Sequence, residues 1–361
     1  MPERRMSANG LTRVLAVPPL GDAGGGTGQV GRLLWDVFQR AWPDRSRLAV
    51  LTSAPGASPA LSAKIAFGSQ LIALQALART QWIAFGHLGL TNIQSFVPQS
   101  LRSPYAVFLY GVEAWKPLQP RLRQRLKSAT MRVAISAFTA RCTADANPDV
   151  GEIVVCPLAL SPSVQVLPAA RPASPAPVVL IVGRMAAGEG YKGHDQLIDA
   201  WPHVTASVPG ARLVIVGDGD DAPRLRSKAM TCGAGSISFT GFVDRSTLAQ
   251  LYREAAVFAM PSRGEGFGLV YLEAMAHRLP CIGSVHDAAG EVIENGTTGL
   301  LVDLDDSESL GRALVCLLRN ADIRARMGQA GFERLQREFT FERFSENVVR
   351  LFETHLEPAR S

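Results

Sequence analysis

The chain has 361 residues, of which 47% are hydrophobic and 19% are charged, and its formal net charge is +5. This length favours two domains, and this balance is typical of globular proteins with large buried sheets. No stretch approaches the ~20 apolar residues that span a bilayer, and the polar start, residues 1–10, lacks the apolar core of a signal peptide. We therefore expect a cytoplasmic protein. The five cysteines are scattered, which argues against a disulfide framework and against a zinc site.

The first half of the chain alternates short apolar runs with helical patterns. Six of these runs are predicted strands, at residues 14–18, 48–52, 82–85, 106–110, 133–136 and 153–156. Continuous apolar strands that alternate with helices predict a parallel sheet covered on both faces.

The glycine-rich segment 21–28 lies between the first predicted strand and the first helix. Its glycines do not follow the spacing of a dinucleotide loop, and no acidic residue follows the second strand to hold an adenosine ribose. Nicotinamide binding is therefore disfavoured. His87 and Glu113 follow the third and fourth strands, where a lone polar residue is more often structural, although both could contact a ligand at the sheet edge.

A basic segment follows the fourth strand of the first half. Leucines recur in it at helical spacing, between the cations Arg121, Arg123, Arg125 and Lys127. The pattern fits either a solvated helix face or a contact with anionic lipid head groups. A nucleic-acid partner is disfavoured because the rest of the chain shows no basic stripe with interleaved aromatic residues.

A proline-rich stretch, residues 161–177, predicts a linker between two domains. The second half then repeats the alternation, with predicted strands at residues 178–182, 213–216, 237–239, 257–260, 281–283 and 300–302. The predicted fold is α/β, with two Rossmann-like domains (1–165 and 178–340) facing across a cleft. The final helical pattern, residues 341–357, could pack on either domain.

Two cations follow the first strand of the second half. Arg184 stands directly after Gly183 at the strand end, and Lys192 precedes the next helix. Each alone is more often a surface charge. Together, at the edge where α/β proteins bind ligands, they predict a site for an anionic group such as a diphosphate.

The segment 218–221 contains a literal Asp-x-Asp sequence, which is a metal-binding signature in some enzymes. Here it follows an apolar run and precedes a helix, so it is interpreted as a turn with an acidic helix start. No cluster of His, Cys and Asp with metal spacing occurs elsewhere in the sequence. We predict metal-independent chemistry without a cofactor.

The most informative segment is residues 263–273. It places Glu265 in a glycine-rich loop and Glu273 about one turn inside the following helix. Such a loop can hold an anion at the helix N-terminus while two carboxylates bind hydroxyl groups. A sugar nucleotide offers that combination. The alternative without a functional role is that Glu265 is an exposed loop carboxylate and Glu273 a helix-surface residue.

Taken together, these residues resemble the retaining glycosyltransferases of family 4, which have the GT-B fold and a Glu-x7-Glu motif. The matching segments are Gly183-Arg184, Lys192-Gly193, 216–219, 241–243, 260–262, 265–276 and 299–302, and they span roughly residues 178–352. The first half matches only in its layout, its glycine loop and His87. Where the family often has a Gly-Gly/Pro-Glu run, this chain departs at residues 285–293, although Glu291 keeps its place.

The resemblance implies a role for each matching residue of the second half. Arg184 and Lys192 bind the donor diphosphate, Glu265 holds hydroxyls of the donor sugar, and Glu273 holds the ribose. The donor-binding set also includes Gly183, Val243 (backbone, towards the base), Gly266, Phe267, Gly268 and Leu269.

In the first domain, the resemblance implies that Gly25 and Gly26 close over the phosphates and that His87 lies beside the sugar. Glu113 is an acceptor candidate. The first domain would bind the acceptor, the second would bind the nucleotide sugar, and the last helix, near 341–361, would cross back to the first domain.

The expected activity is retaining transfer of a hexose from GDP-mannose or a UDP-hexose, with front-face attack assisted by the leaving phosphate. The acceptor would be a glycan, lipid-linked if the basic helix contacts an anionic membrane, in cell-surface or exopolysaccharide synthesis. Two alternatives stay open. One is a sugar-nucleotide epimerase, and the other is a catalytically silent subunit that binds a sugar nucleotide.

Overall fold

The computed structural model describes residues 11–20, 25–53, 59–76, 80–164, 177–232 and 235–357. The chain divides into two compact units, one formed by Met1–Ser161 with Phe341–Ser361 and the other by Pro162–Thr340. Most of the predicted linker, residues 165–176, lies outside the described residues, as do residues 21–24 of the glycine loop and the end of the chain from residue 358.

The first unit contains a six-stranded parallel sheet with the order β2-β1-β3-β4-β5-β6. Its strands are β1 Thr12–Val17, β2 Ser46–Val50, β3 Thr80–Phe85, β4 Tyr105–Leu109, β5 Met131–Ala134 and β6 Val154–Val155. The central strands are almost wholly buried because helices cover both faces, as their continuous apolar sequences predict.

Within the described residues, the first unit has five α-helices. They are α1 Gly25–Ala41, α2 Leu61–Ala76, α3 Pro120–Lys127, α4 Ala137–Ala146 and α12 Phe341–Leu356, with 3-10 turns at Leu88–Ser95 and Gln99–Leu101. The helices α5–α11 lie between α4 and α12 in the chain and belong to the second unit, described below. The basic helix is confirmed, and each predicted strand is present, with bounds that differ from the prediction by up to two residues.

The last helix, α12, packs within the first unit. Phe352 is fully buried, and its ring centroid lies 4.7 Å from Trp82 and 5.8 Å from Phe38. At the end of the helix, Glu357 accepts hydrogen bonds from the buried guanidinium of Arg13 in β1, with Nη2–Oε1 at 2.5 Å. This aromatic and ionic anchor explains why the final helix joins the first unit although it follows the second in sequence.

The second unit contains another parallel sheet of six strands, with the order β12-β11-β10-β7-β8-β9. Its strands are β7 Val178–Val182, β8 Arg212–Val216, β9 Ile237–Gly241, β10 Val257–Ala259, β11 Cys281–Ser284 and β12 Gly299–Val302. Its helices are α5 His194–Ser207, α6 Ala222–Thr231, α7 Arg245–Glu254, α8 Leu269–Ala276, α9 Ala289–Val292, α10 Ser309–Arg319 and α11 Ala321–Glu338, with a 3-10 turn at Ala187–Lys192.

Two further features of the sequence have clear outcomes. The Asp-x-Asp segment is a turn, and Asp221 is the N-cap residue of α6, as interpreted from the sequence. All five cysteines are free. Among the described residues, no helix combines the length and the apolar character that a bilayer crossing requires.

Candidate active site

The strand order of the second sheet reverses between β7 and β10. These two strands are hydrogen-bonded neighbours, but the chain continues from β7 to one side of the sheet and from β10 to the other. Open parallel sheets bind ligands at the carboxyl ends of strands at such a switch point. The segments that follow them, Gly183–Lys192 and Met260–Gly268, carry most of the predicted donor-binding residues.

The segment after β7 brings the two predicted cations together through a third residue. Arg184 donates to the Glu189 carboxylate from Nη2 and, at 3.3 Å, from Nε. Lys192 Nζ lies 3.2 Å from Oε2 of the same carboxylate. Burial alone would raise the pKa of Glu189, but the Arg184 hydrogen bond and the Lys192 charge lower it below its ordinary value. One carboxylate thus bridges both cations.

Close backbone contacts join the two segments. Gly193 has φ +92°, and a Cβ there would lie 2.5 Å from the carbonyl oxygen of Pro261. The ring of Tyr191 covers Gly264, where a Cβ would lie 2.7 Å from it, and the Tyr191 carbonyl accepts a hydrogen bond from the Arg263 N–H at 2.9 Å. The glycines therefore allow the cationic segment and the glutamate loop to lie side by side.

The glutamate loop ends at the N-terminus of α8. Gly268 is the N-cap residue with φ +95°, a conformation that favours glycine, and α8 begins at Leu269, as predicted. The buried Gly266 and Phe267 direct their N–H groups to the carboxylate of Glu265. Burial raises the pKa of Glu265, against the lowering effects of Lys192 and of those N–H groups. Glu265 thus lies within electrostatic reach of Lys192.

Glu273 has a protein partner that the sequence did not identify. The buried Tyr252 of α7 donates its hydroxyl to Glu273 Oε2 at 3.0 Å. The His277 ring stacks on Tyr252, with centroids 5.1 Å apart. The sequence predicts that this half-buried carboxylate needs hydrogen-bond donors, and Tyr252 supplies one of them.

A buried carboxylate, Asp287, joins the loops after β10 and β11. It accepts hydrogen bonds from the N–H of Glu265 at 3.0 Å and from the N–H of Ala289 at 2.9 Å. Burial raises its pKa to about 7, although those two N–H groups and the hydroxyl of Ser262 oppose the rise. Asp287 therefore fixes the backbone of Glu265.

Asp287 lies in the stretch where the sequence departs from the family it resembles. The sequence analysis did not single it out, and the available signal was an acidic residue in the loop after a strand, three positions beyond Ser284. The serine hydroxyls nearby are equally buried, and Ser262 Oγ accepts from the Gly264 N–H at 3.0 Å.

In the first unit, the predicted residues also lie at carboxyl ends of strands. Gly25 and Gly26 open α1, which follows β1, and a Cβ on Gly26 would meet nothing within 4 Å. His87 follows β3 and caps the 3-10 turn, because its Nδ1 accepts from the Gly89 N–H at 3.0 Å. This bond places the proton of the neutral ring on Nε2. Glu113 accepts from the Tyr110 N–H at 2.5 Å, so its carboxylate braces the turn after β4.

One remaining predicted residue, Val243, was assigned to the base of the nucleotide. Val243 follows β9 and precedes the N-cap residue Asp244, at the same edge of the second sheet.

Among the described residues, His286, Asp303 and Asp305 offer three ligand atoms within 4.8 Å of one another. Those atoms already have partners, since Leu304 N–H lies 3.2 Å from His286 Nε2 and Arg263 pairs with Asp305 at 2.6 Å. Metal-independent chemistry stays a prediction.

Residues 176–320 match the protein family described as "Glycosyl transferases group 1". The phosphatidyl-myo-inositol mannosyltransferase of Mycobacterium leprae is 39% identical over 177 residues, which are 49% of this chain and 46% of that protein. The GDP-mannose-dependent alpha-(1-6)-phosphatidylinositol monomannoside mannosyltransferase of Mycobacterium tuberculosis is 39% identical over 150 residues, 39% of each chain. The matched part is thus about half the length of these curated relatives, or less.

Solved structures match across both units. Anabaena Alr3699/HepE, in complex with UDP and glucose, superposes with a TM-score of 0.75 at 17% identity, covering 95% of this chain and 100% of that one. Sucrose-phosphate synthase from Thermosynechococcus elongatus gives a TM-score of 0.77 at 19% identity, covering 95% and 98%. The chain therefore has the GT-B fold, and its second unit carries a segment that matches the group 1 glycosyl transferases.

Proposed function

We propose that the protein is a retaining glycosyltransferase of family 4, which transfers a hexose from a nucleotide-sugar donor to a glycan acceptor. The observation that carries this proposal is the convergence of Arg184, Lys192, Glu265 and the N-terminus of α8 on one sheet edge. Cleavage of the bond between the sugar and the diphosphate builds negative charge on the leaving group. Two cations and a helix N-terminus stabilise that charge.

The state of Glu265 suits a sugar-binding role. Its side chain is half-buried, burial raises its pKa, and two backbone N–H groups donate to its carboxylate. We propose that it orients the hydroxyls of the donor sugar, while the leaving phosphate takes the proton of the attacking acceptor. Glu273, already hydrogen-bonded to Tyr252, would hold the ribose.

The relatives favour a donor and an acceptor class. Two names specify a mannosyl transfer to phosphatidylinositol compounds, one of them dependent on GDP-mannose, whereas one matching structure contains UDP and glucose. We therefore propose GDP-mannose as the first donor to test, with UDP-hexoses second, and a lipid-linked acceptor at the cytoplasmic face of a membrane. The product would enter a cell-surface glycan or an exopolysaccharide.

The helix α3 supports peripheral contact with anionic lipid. Arg123 and Lys127 pair with Asp149 at 2.6 and 3.5 Å, whereas Arg121 is exposed, and Arg125 hydrogen-bonds Ser95. The residue after Ser95 is Phe96, an aromatic side chain that is 73% exposed. Cations beside an exposed ring suit a lipid interface. Sedimentation with phosphatidylglycerol vesicles, but not with phosphatidylcholine vesicles, tests this contact, and equal sedimentation with both would refute it.

A donor panel tests the main proposal. A nucleotide sugar that binds the folded protein raises its melting temperature, because binding adds RT ln(1 + [L]/Kd) to stability. Transfer is then measured with that donor and a phosphatidylinositol acceptor. Arg184→Ala should cost about 3 kcal/mol of transition-state stabilisation, or roughly a hundredfold in rate. Unchanged turnover in that variant would remove Arg184 from the mechanism.

One observation keeps the epimerase alternative worth testing. Glu265 and Asp287, two carboxyls with raised pKa values, lie next to each other at the site, and an epimerase needs an acid and a base. Conversion of the donor without any acceptor would favour that reaction. Donor binding without turnover under either condition would favour a silent subunit.

A further inference from the structure

Glu189 makes an unusual contact for a residue outside the predicted donor-binding set. Its carboxylate is bonded at once to Arg184 and to Lys192, the two side chains proposed to hold the diphosphate. The Glu189 and Lys192 side chains are only 18% and 20% exposed, whereas Arg184 is 62% exposed. A carboxylate therefore already lies where anionic oxygens of a ligand would have to bind.

The charges at the site make simultaneous occupancy unfavourable. Arg184 and Lys192 supply two positive charges, and Glu189 neutralises one of them while also facing Glu265. A diphosphate brings at least two negative charges. If Glu189 stayed in place, three or more negative charges would share two cations in a partly buried site, and like charges at that distance repel strongly.

The segment that carries Glu189 can release it at low cost. Glu189 lies in the 3-10 turn Ala187–Lys192, where its own φ and ψ of −120° and 25° depart from helical values. It stands between Gly188 and Gly190, and a Cβ on either glycine would meet nothing within 4 Å. The start of the turn is held separately, because Asp220 accepts the Ala187 N–H at 2.8 Å. Glu189 can thus swing outward while the turn stays anchored.

We propose that Glu189 occupies the diphosphate subsite of the ligand-free protein, leaves it when the donor binds, and returns to expel the nucleoside diphosphate after transfer. The leaving group carries more negative charge than the donor did, so the same two cations would otherwise retain it and slow turnover. An internal carboxylate competes with the product without diffusing away. This inference rests on the proposed function only in placing a diphosphate at Arg184 and Lys192.

The test measures the binding of inorganic pyrophosphate by isothermal titration, without nucleotide or sugar. Glu189→Gln keeps the shape of the side chain and removes its charge, and it should tighten pyrophosphate binding about tenfold, the sum expected from two partly exposed ion pairs. Asp220→Asn is the matched control, because it removes a negative charge near Arg184 without a contact to either cation and its amide oxygen can still cap the turn. The control should bind pyrophosphate as the wild type does.

Kinetics supply the second readout. With a working donor and acceptor, Glu189→Gln should lower KM and also lower kcat, with stronger inhibition by the nucleoside diphosphate. Weaker or unchanged pyrophosphate binding in Glu189→Gln would overturn the inference, since a carboxylate that merely positions the cations would leave them misplaced when removed. If pyrophosphate binds more tightly but no nucleotide sugar is turned over, the occupation of the anion subsite by Glu189 stands, whereas the expulsion step and the proposed function both fail.

Discussion

Replacing Asp287 with asparagine should flatten the pH dependence of the stability of this protein. Asp287 is only 5% exposed, and burial raises its pKa from 3.8 to about 7 in the folded state. The folded protein therefore holds a proton that the unfolded chain has already released between these pH values. The stabilising contribution of that proton is fully present below pH 3.8 and is lost as the pH rises through 7.

The magnitude follows from the size of the shift. A rise of about 3 pKa units corresponds to about 4 kcal/mol at 1.36 kcal/mol per unit, and roughly 3 kcal/mol of it is lost between pH 5 and pH 8. Asparagine does not titrate. It keeps one acceptor oxygen but also places an amide N–H₂ near the two backbone N–H groups that Asp287 serves. Asp287→Asn should therefore be less stable than the wild type at pH 5, by an amount that shrinks towards pH 8.

Urea unfolding at pH 5, 6, 7 and 8, followed by circular dichroism, measures this difference directly. Taking the wild type minus the variant removes the titration of groups that both proteins share, while Glu265 and Tyr271 are the titratable groups that face Asp287. Asp244→Asn is a suitable control, because this exposed carboxylate caps α7, its pKa is lowered, and asparagine caps helices equally well. Parallel curves for the wild type and Asp287→Asn would refute the reasoning.

Three further predictions concern other parts of the molecule. Tyr252→Phe removes the donor to Glu273, and should cost about 1–2 kcal/mol of stability and weaken nucleotide binding several-fold in a titration, whereas an unchanged nucleotide affinity would contradict the role of Glu273. Arg13→Met breaks the buried ion pair with Glu357 and should lower the free energy of unfolding of the first unit by about 3 kcal/mol, seen as a lower melting temperature; a loss below 1 kcal/mol would show that α12 is held by its aromatic contacts alone. Addition of EDTA should leave sugar transfer unchanged if Arg184 and Lys192 supply the positive charge at the diphosphate, as proposed, and a rate restored only by a divalent metal would contradict this.

The strands could be predicted because each buried parallel strand is a short, continuous run of apolar residues in the sequence. Each apolar run must fill both faces of a sheet, so strand positions follow from hydrophobicity and spacing. The ends of the strands are harder to predict. The sequence predicts β2 at residues 48–52, whereas the strand is Ser46–Val50, because its pairing with β1 starts at Arg13 opposite Ser46. Hydrogen bonding to a neighbour, which no local pattern encodes, sets that boundary.

The position of the candidate site could be predicted where glycine and charged residues occur together, as at Gly183, Arg184, Glu265 and Gly268. The residues that hydrogen-bond to the site residues could not be predicted. Tyr252 precedes Glu273 by 21 residues, and Asp287 follows Glu265 by 22, so only the fold brings each pair together. A tyrosine in a helix or an aspartate after a strand gives no sign in the sequence that its polar atoms serve a distant residue.

The different states of three neighbouring carboxyl groups explain how this sheet edge can attract an anion at all. If Glu189, Glu265 and Asp287 were all ionised and fixed, three negative charges would face the two positive charges of Arg184 and Lys192, and a diphosphate would be repelled. Burial instead raises the pKa of Asp287 to about 7, so its negative charge is reduced at neutral pH, and burial shifts the pKa of Glu265 in the same direction. Glu189, whose pKa is lowered, keeps its charge but lies on a glycine-flanked turn that can release it. Once it leaves, the cations and the N-terminus of α8 dominate the local field, so the anion affinity of the site depends on burial as much as on its positive residues.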